Sequence, residues 1–87
     1  MNRDKILTTA AGLINGARDG VYGDPKTNHD RIAAMWTVIL GTPVRADQVA
    51  LCMAAVKLAR LVQTPDHLDS FIDGAAYMAI AGELATK

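Results

Sequence analysis

Glutamate is almost missing from this chain. Glu83 is the only one, beside eight aspartates, whereas a Mg²⁺-dependent phosphohydrolase ordinarily gathers several carboxylates around its metal. That shortage weighs against metal-assisted hydrolysis. Cysteine is as scarce: Cys52 has no second cysteine to pair with inside the chain, so a reducing compartment is expected and the residue reads as a small core side chain. Neither sign of charge is in excess, with Lys and Arg together matching Asp and Glu. This removes the basic footprint of a nucleic-acid binder and the polybasic signal of a membrane-surface protein. Long hydrophobic runs are also lacking. The most apolar segment, Val49 to Val62, is interrupted by Lys57 and Arg60 and is too short to span a bilayer. The N-terminal charges Arg3, Asp4 and Lys5 precede only a short amphipathic run, which is not a signal peptide. No nucleophile motif, P-loop, zinc spacing or dinucleotide fingerprint occurs. Nucleic acid and membrane therefore fall away as main partners, and a cytoplasmic protein is expected.

What the chain does have is apolar mass in small pieces. Hydrophobic residues make up 51% of it while aromatics supply only 5%, so alanine and the aliphatics carry the packing. Its 87 residues make one helical domain, 1–87, with a modest core of its own. Segments that are apolar all round need cover on more than one side. A homo-oligomer is the economical expectation.

Four helices are legible. Ile6, Leu7, Ala10, Leu13 and Ile14 share one face between about Asp4 and Asn15, and Gly16 supplies a stop. The stretch from Ala17 to Asp24 holds two glycines and no periodicity, which predicts a loop. Asp24 and Pro25 then mark a helix start, aspartate as cap and proline at the first position. This second helix is expected to reach about Leu40, with Ile32, Ala33, Trp36 and Ile39 or Leu40 inward, Gly41 past its end and Pro43 preventing continuation. A third helix runs from Ala46 or Asp47 to about Gln63. Thr64 is expected to cap the fourth, with Pro65 at its first position, running to about Leu84. Nothing alternates as a strand would, and Gly74, Ala75, Ala76, Ala79, Ala81 and Gly82 permit close approach of another helix. The fold class predicted is all-α: a compact four-helix domain whose last two helices form a central antiparallel hairpin.

The residues with chemistry cluster around that hairpin. Lys57 and Arg60 lie three apart and share a face, while Asp69, Asp73 and Tyr77 recur every four residues along one stripe. An antiparallel hairpin sets Arg60 opposite Asp69 and Lys57 opposite Asp73. The plain reading is a pair of structural ion pairs that fix register, since buried charges persist only when partnered. The sharper reading is a polar pocket for a charged small molecule, with Lys57 and Arg60 on phosphates. Both hold together if the network keeps donors to spare. Asn28, His29 and Arg31 fall in the first two turns of the second helix, beside Tyr22, Gly23 and Asp24. A helix N-terminus with an arginine nearby suits an anion. For each there is a structural alternative: Asp24 only caps, Tyr22 only packs, His29 is a partly buried helix residue and Trp36 belongs to the core.

Two blocks, Tyr22-Gly23-Asp24-Pro25-x-x-Asn28-His29-x-Arg31-Ile32-Ala33-x-x-Trp36 and Lys57-Leu58-Ala59-Arg60-Leu61 with Pro65-x-His67-x-Asp69-Ser70-x-x-Asp73-x-Ala75-x-Tyr77, resemble a family of small phage and prophage proteins known as a domain of unknown function. The resemblance covers nearly the whole chain. At greater distance the same features look like the nucleotide-modification-associated phage domains and the MazG-type all-α nucleotide pyrophosphohydrolases. The departures are informative. The MazG-type metal pattern is a glutamate-rich helix pair, onto which only Asp69 and Asp73 can be placed. The phage family often has an acid where this chain has Gln48, and the second glycine of its Asp-x-Ala-Gly-Tyr block is Ala76 here. The resemblance implies a phage-encoded protein of the host cytoplasm that sequesters a phosphorylated nucleotide, a host signalling nucleotide among the candidates, without turnover and with no cofactor. The roles implied are Lys57, Arg60 and Arg31 on phosphates, Asp69 and Asp73 on the cations or ribose, Asp24 and Asn28 at the helix start, and Tyr22, Trp36 or Tyr77 stacking a base. The alternatives are a Mg²⁺-dependent pyrophosphohydrolase and a protein-binding adaptor.

Overall fold

Helix boundaries follow from the caps the sequence provides. A computed structural model describes residues 1–16 and 24–87; Tyr22, Gly23 and the loop expected there lie outside the described residues. Helix α1 spans Arg3–Asn15, and its Asn2 side chain accepts the Lys5 N–H at 2.9 Å. Helix α2 spans Pro25–Leu40. The Asp24 carboxylate accepts from the backbone N–H groups of Lys26 and Thr27, at 3.2 and 3.1 Å, and from the Thr27 hydroxyl at 2.6 Å, satisfying donors that the first turn leaves orphaned. At the other end Gly41 takes a left-handed conformation, φ 70°, and donates to the Thr37 carbonyl, a geometry that costs glycine nothing. Helix α3 spans Ala46–Gln63. Gln48 reaches back to accept the Arg45 N–H at 2.9 Å. An acid at position 48 could make the same contact.

The fourth helix starts later than the sequence predicts. Helix α4 spans Leu68–Ala85 with His67 as its N-cap residue. Thr64 closes α3 instead, and His67 N–H donates to the Thr64 carbonyl at 3.1 Å. Thr64 to His67 is thus a turn with proline at its second position, a place its fixed φ suits as well as the first position of a helix. Proline marks the break between α3 and α4 but does not decide which of two compatible geometries is used.

Among the described residues the chain is all-α, and α4 is the helix the others gather on: it packs most extensively with α3, then with α1, and touches α2, which also packs on α3. Ala10, Ile72 and Ala76 form a core cluster with Ile6, Leu13, Ile14 and Ala75 against it. Val49, Ala50 and Ala54 are buried on α3 and His29 and Ala33 on α2. Most fully buried apolar positions are alanines, whereas Met35, Val38, Ile39, Leu58 and Val62 stand mainly exposed. Small residues let helix backbones approach closely but bury little area each. The expected inward positions Leu7, Ile39 and Leu40 are therefore corrected, since each is more than half exposed. For α2 the cause is local. Thr37 donates to the Ala33 carbonyl and its hydroxyl accepts the Val44 N–H at 2.9 Å, so the chain that leaves α2 at Gly41 folds back onto Thr37 and the last turn, Val38 to Leu40, stays exposed. Cys52, expected in the core, is exposed too. Among the described residues no helix is long and apolar enough to cross a membrane.

Two outcomes are expected. Ile72→Ala removes the largest member of the core cluster and should lower stability by about 2–5 kcal/mol in urea denaturation. Asp24 is held below its ordinary pKa by the Thr27 hydroxyl first and then by the Thr27 N–H. Its cap therefore contributes fully above the unfolded value of 3.8 and is lost as pH falls through the lower folded value. Asp24→Ala should lower the Tm at pH 7, and the gap to the parent should close as the medium is acidified below that range.

Candidate functional site

The stripe of α4 that carries Asp73 and Tyr77 meets α3 and α2 at polar side chains. Lys57 Nζ on α3 stands 3.3 Å from Asp73 Oδ2, with side chains only 28% and 20% exposed. One turn further along α4, Tyr77 meets His29 of α2, ring centroids 6.2 Å apart and planes at 64°, an edge-to-face arrangement favoured by the ring quadrupoles. Asp73 has a further interaction beyond this pair. Lys57, Asp73, Tyr77 and His29 thus form one strip across three helices. Trp36 is seven residues beyond His29, nearly two turns, so it lies on the same face of α2, half-buried.

The helix geometry explains this convergence. Gly74, next to Asp73, has no side chain, and a Cβ placed there would meet Lys57 Cβ at 3.7 Å. The two helices are in van der Waals contact at that level, and the Lys57 ammonium reaches Asp73 beside it. At 3.3 Å the contact is longer than the 2.7–2.9 Å typical of a tight charge-assisted bond. An ammonium has three donors, so Lys57 can serve a second acceptor without giving up Asp73.

The pairing of Arg60 with Asp69 does not form. Arg60 Nη2 lies 3.4 Å from His67 Nε2, and His67 Nδ1 lies 2.8 Å from the Ser70 hydroxyl oxygen. Because α4 starts at Leu68, His67 occupies the position facing Arg60, while Asp69 sits exposed in the first turn, where the helix dipole favours it. The direction of this chain matters chemically. Arg60 can only donate, so His67 Nε2 accepts and Nδ1 carries the proton toward Ser70. Ser70, buried, is then an acceptor and cannot hand its proton to the ring, so the Ser70–His67 contact is not an activated nucleophile.

The other candidates stand apart. The Asp24 carboxylate is engaged in capping α2. Arg31 is exposed and, two residues from His29, projects from nearly the opposite side of α2. Asn28 is half-buried beside the start of the helix. The residue the sequence undervalued is His29, which is buried; its place at the first of the spacings His29, Ala33 and Trp36 was the available signal. Among the described residues no three of His, Cys, Asp and Glu come together as a metal-binding group. A shallow apolar cavity of about 210 Å³ lies beside the strip between α3 and α4, lined by Lys57, Leu58, Leu61, Ser70, Phe71 and Met78 among others.

Residues 5–85 match the family described as Domain of unknown function (DUF6378). The chain is 41% identical over 76 residues to the Gene 55 protein of Mycobacterium phage L5, a match covering 86% of this chain and 49% of that protein. It is 38% identical over 74 residues to the Gene 55 protein of Mycobacterium phage D29, covering 85% of this chain and 49% of that one. The chain thus spans about half the length of these relatives. No solved structure matches it. Matched along nearly all its length, and with phage proteins as relatives, the chain belongs to the DUF6378 family of small phage domains of unknown function.

Proposed function

We propose that the protein binds a small phosphorylated nucleotide and holds it without turnover, with Lys57 as the principal phosphate donor and the Asp73, Tyr77 and His29 strip shaping the site. The carrying observation is the half-buried Lys57–Asp73 pair at 3.3 Å, a cation kept in place by its acid yet with donors unspent. The order of contacts between α3 and α4, residue 60 with 67 and 57 with 73, supports an antiparallel hairpin as the frame. Arg60, exposed at the end of α3, is a further donor for a phosphate chain, and half-buried Trp36 and Tyr77 offer aromatic surface to a base. With Asp24 engaged in its cap and Asp69 exposed, the described carboxylates give a Mg²⁺-dependent pyrophosphohydrolase weaker footing than a binder. Phage relatives fit a protein acting in the host cytoplasm, where capture of a host signalling nucleotide would serve as anti-defence.

The binder is proposed to act as a homo-oligomer. Val38 and Ile39 on α2 and Val62 on α3 are 82%, 77% and 85% exposed, and Met35 and Leu58 are each 66% exposed. A chain that buries alanines and exposes its branched aliphatics gains by covering them with a second copy. The same surface favours the protein-binding adaptor as the second reading.

Two measurements test these readings. ATP incubated with the protein and Mg²⁺ should raise the Tm and be recovered intact after denaturation. Lys57→Met, which keeps the aliphatic stem and removes the charge, should abolish the ATP-induced Tm shift; a monophosphate product, or an unchanged shift in the variant, would overturn the binding reading. Sedimentation at micromolar concentration should give a dimer or larger closed assembly, which Val38→Asp with Val62→Asp should dissociate. A monomeric parent protein would overturn the oligomer.

A further inference from the structure

One atom of the strip has no occupation in the protein itself. His29 is 4% exposed, and its Nε2 is a buried side-chain nitrogen with no hydrogen-bond partner, the only such atom among the described residues. Its other nitrogen is committed: Nδ1 lies 2.7 Å from the Pro25 carbonyl. A carbonyl only accepts, so Nδ1 carries the proton, and in the neutral ring Nε2 is a bare acceptor. Leaving a buried acceptor unmade is costly, and folded proteins seldom tolerate one without a use for it.

The surroundings fix what that use can be. Tyr77 packs against the ring at 64° and, with the Pro25 bond, holds its plane. Tyr77 is one turn of α4 from Asp73, which holds Lys57. A cation that seeks phosphate and an acceptor that seeks an N–H donor are therefore stationed along the same short stretch of α4. A nucleotide presents that pair of features, phosphate at one end and, on some bases, an exocyclic amino group at the other.

We propose that His29 Nε2 reads the base, accepting a hydrogen bond from an exocyclic amino group while Lys57 holds phosphate, so that the site selects amino-bearing bases. The inference rests on the nucleotide-binding reading above and narrows its ligand class. Uracil places a carbonyl where cytosine has its amine, so acceptor would face acceptor. A ligand whose amine reaches Nε2 supplies the donor that the protein leaves out, whereas a ligand without one keeps Nε2 unpaired.

Calorimetric titration with two matched pairs tests this: ATP against purine riboside 5′-triphosphate, which differs in lacking the amine, and CTP against UTP. The parent protein should prefer the amino-bearing member of each pair by at least about tenfold. His29→Asn keeps a donor for the Pro25 carbonyl and has nothing at the Nε2 position, so it should bind both members of a pair alike. His29→Gln, whose carbonyl reaches that position, should retain part of the preference. Circular dichroism melting establishes that each variant is folded, and the parent comparison stands without them. Equal affinity within both pairs, or a preference that persists in folded His29→Asn, would overturn the role of His29 while leaving nucleotide binding intact. No binding of any of the four would overturn both.

Discussion

Everything in this structure depends on the smallness of its core. α4 packs with three helices, and Ala10 of α1 meets its Ile72 and Ala76 in the core cluster. Small side chains allow the backbones to come close, and the close approach determines what else can be present. Gly74 of α4 faces the Cβ of Lys57 on α3, and the Lys57 ammonium stands against Asp73 at the same level. Val49 and Ile72 are the branched aliphatics enclosed with the alanines, while Val38, Ile39 and Val62 stand outside. A core made of alanine yields less transfer free energy per residue than one made of leucine.

The site follows from that packing. A lysine and an aspartate half-withdrawn from water interact more strongly than a surface pair, and they hold each other without exhausting the ammonium's donors. His29 and Tyr77 extend the strip onto α2. The contrast with Arg60 is instructive. It has the same kind of charge one turn away, but the turn at Thr64–His67 places an imidazole before it, not a carboxylate. The result is a hydrogen-bonded chain through His67 to Ser70 that braces the junction between α3 and α4.

Helix existence was legible because each start and stop carries its own chemistry. Asp24-Pro25 and Gly41 are local devices, and α2 begins and ends at them. The start of α4 was misplaced because Thr64-Pro65 suits a turn and a helix entry equally; the choice depends on His67 N–H meeting the Thr64 carbonyl, which no local propensity specifies. Lys57 opposite Asp73 was legible, since equal distance from a break predicts contact across it. Arg60 opposite Asp69 was not, because the turn consumes the residues nearest the break and shifts the register there.

The sequence by itself determined the helical class, the caps of α2, the break between α3 and α4 and the charged pair at their middle. These are set by periodicity and by residue types whose preferences act over a few positions. Only the tertiary structure decided that alanines would be buried and the large aliphatics left outside, because burial depends on how closely helices distant in sequence can approach. It alone decided that His29 is enclosed with its Nε2 unpartnered. A histidine's spacing records the face it occupies, whereas the polar groups within its reach depend on helices that arrive from elsewhere in the chain.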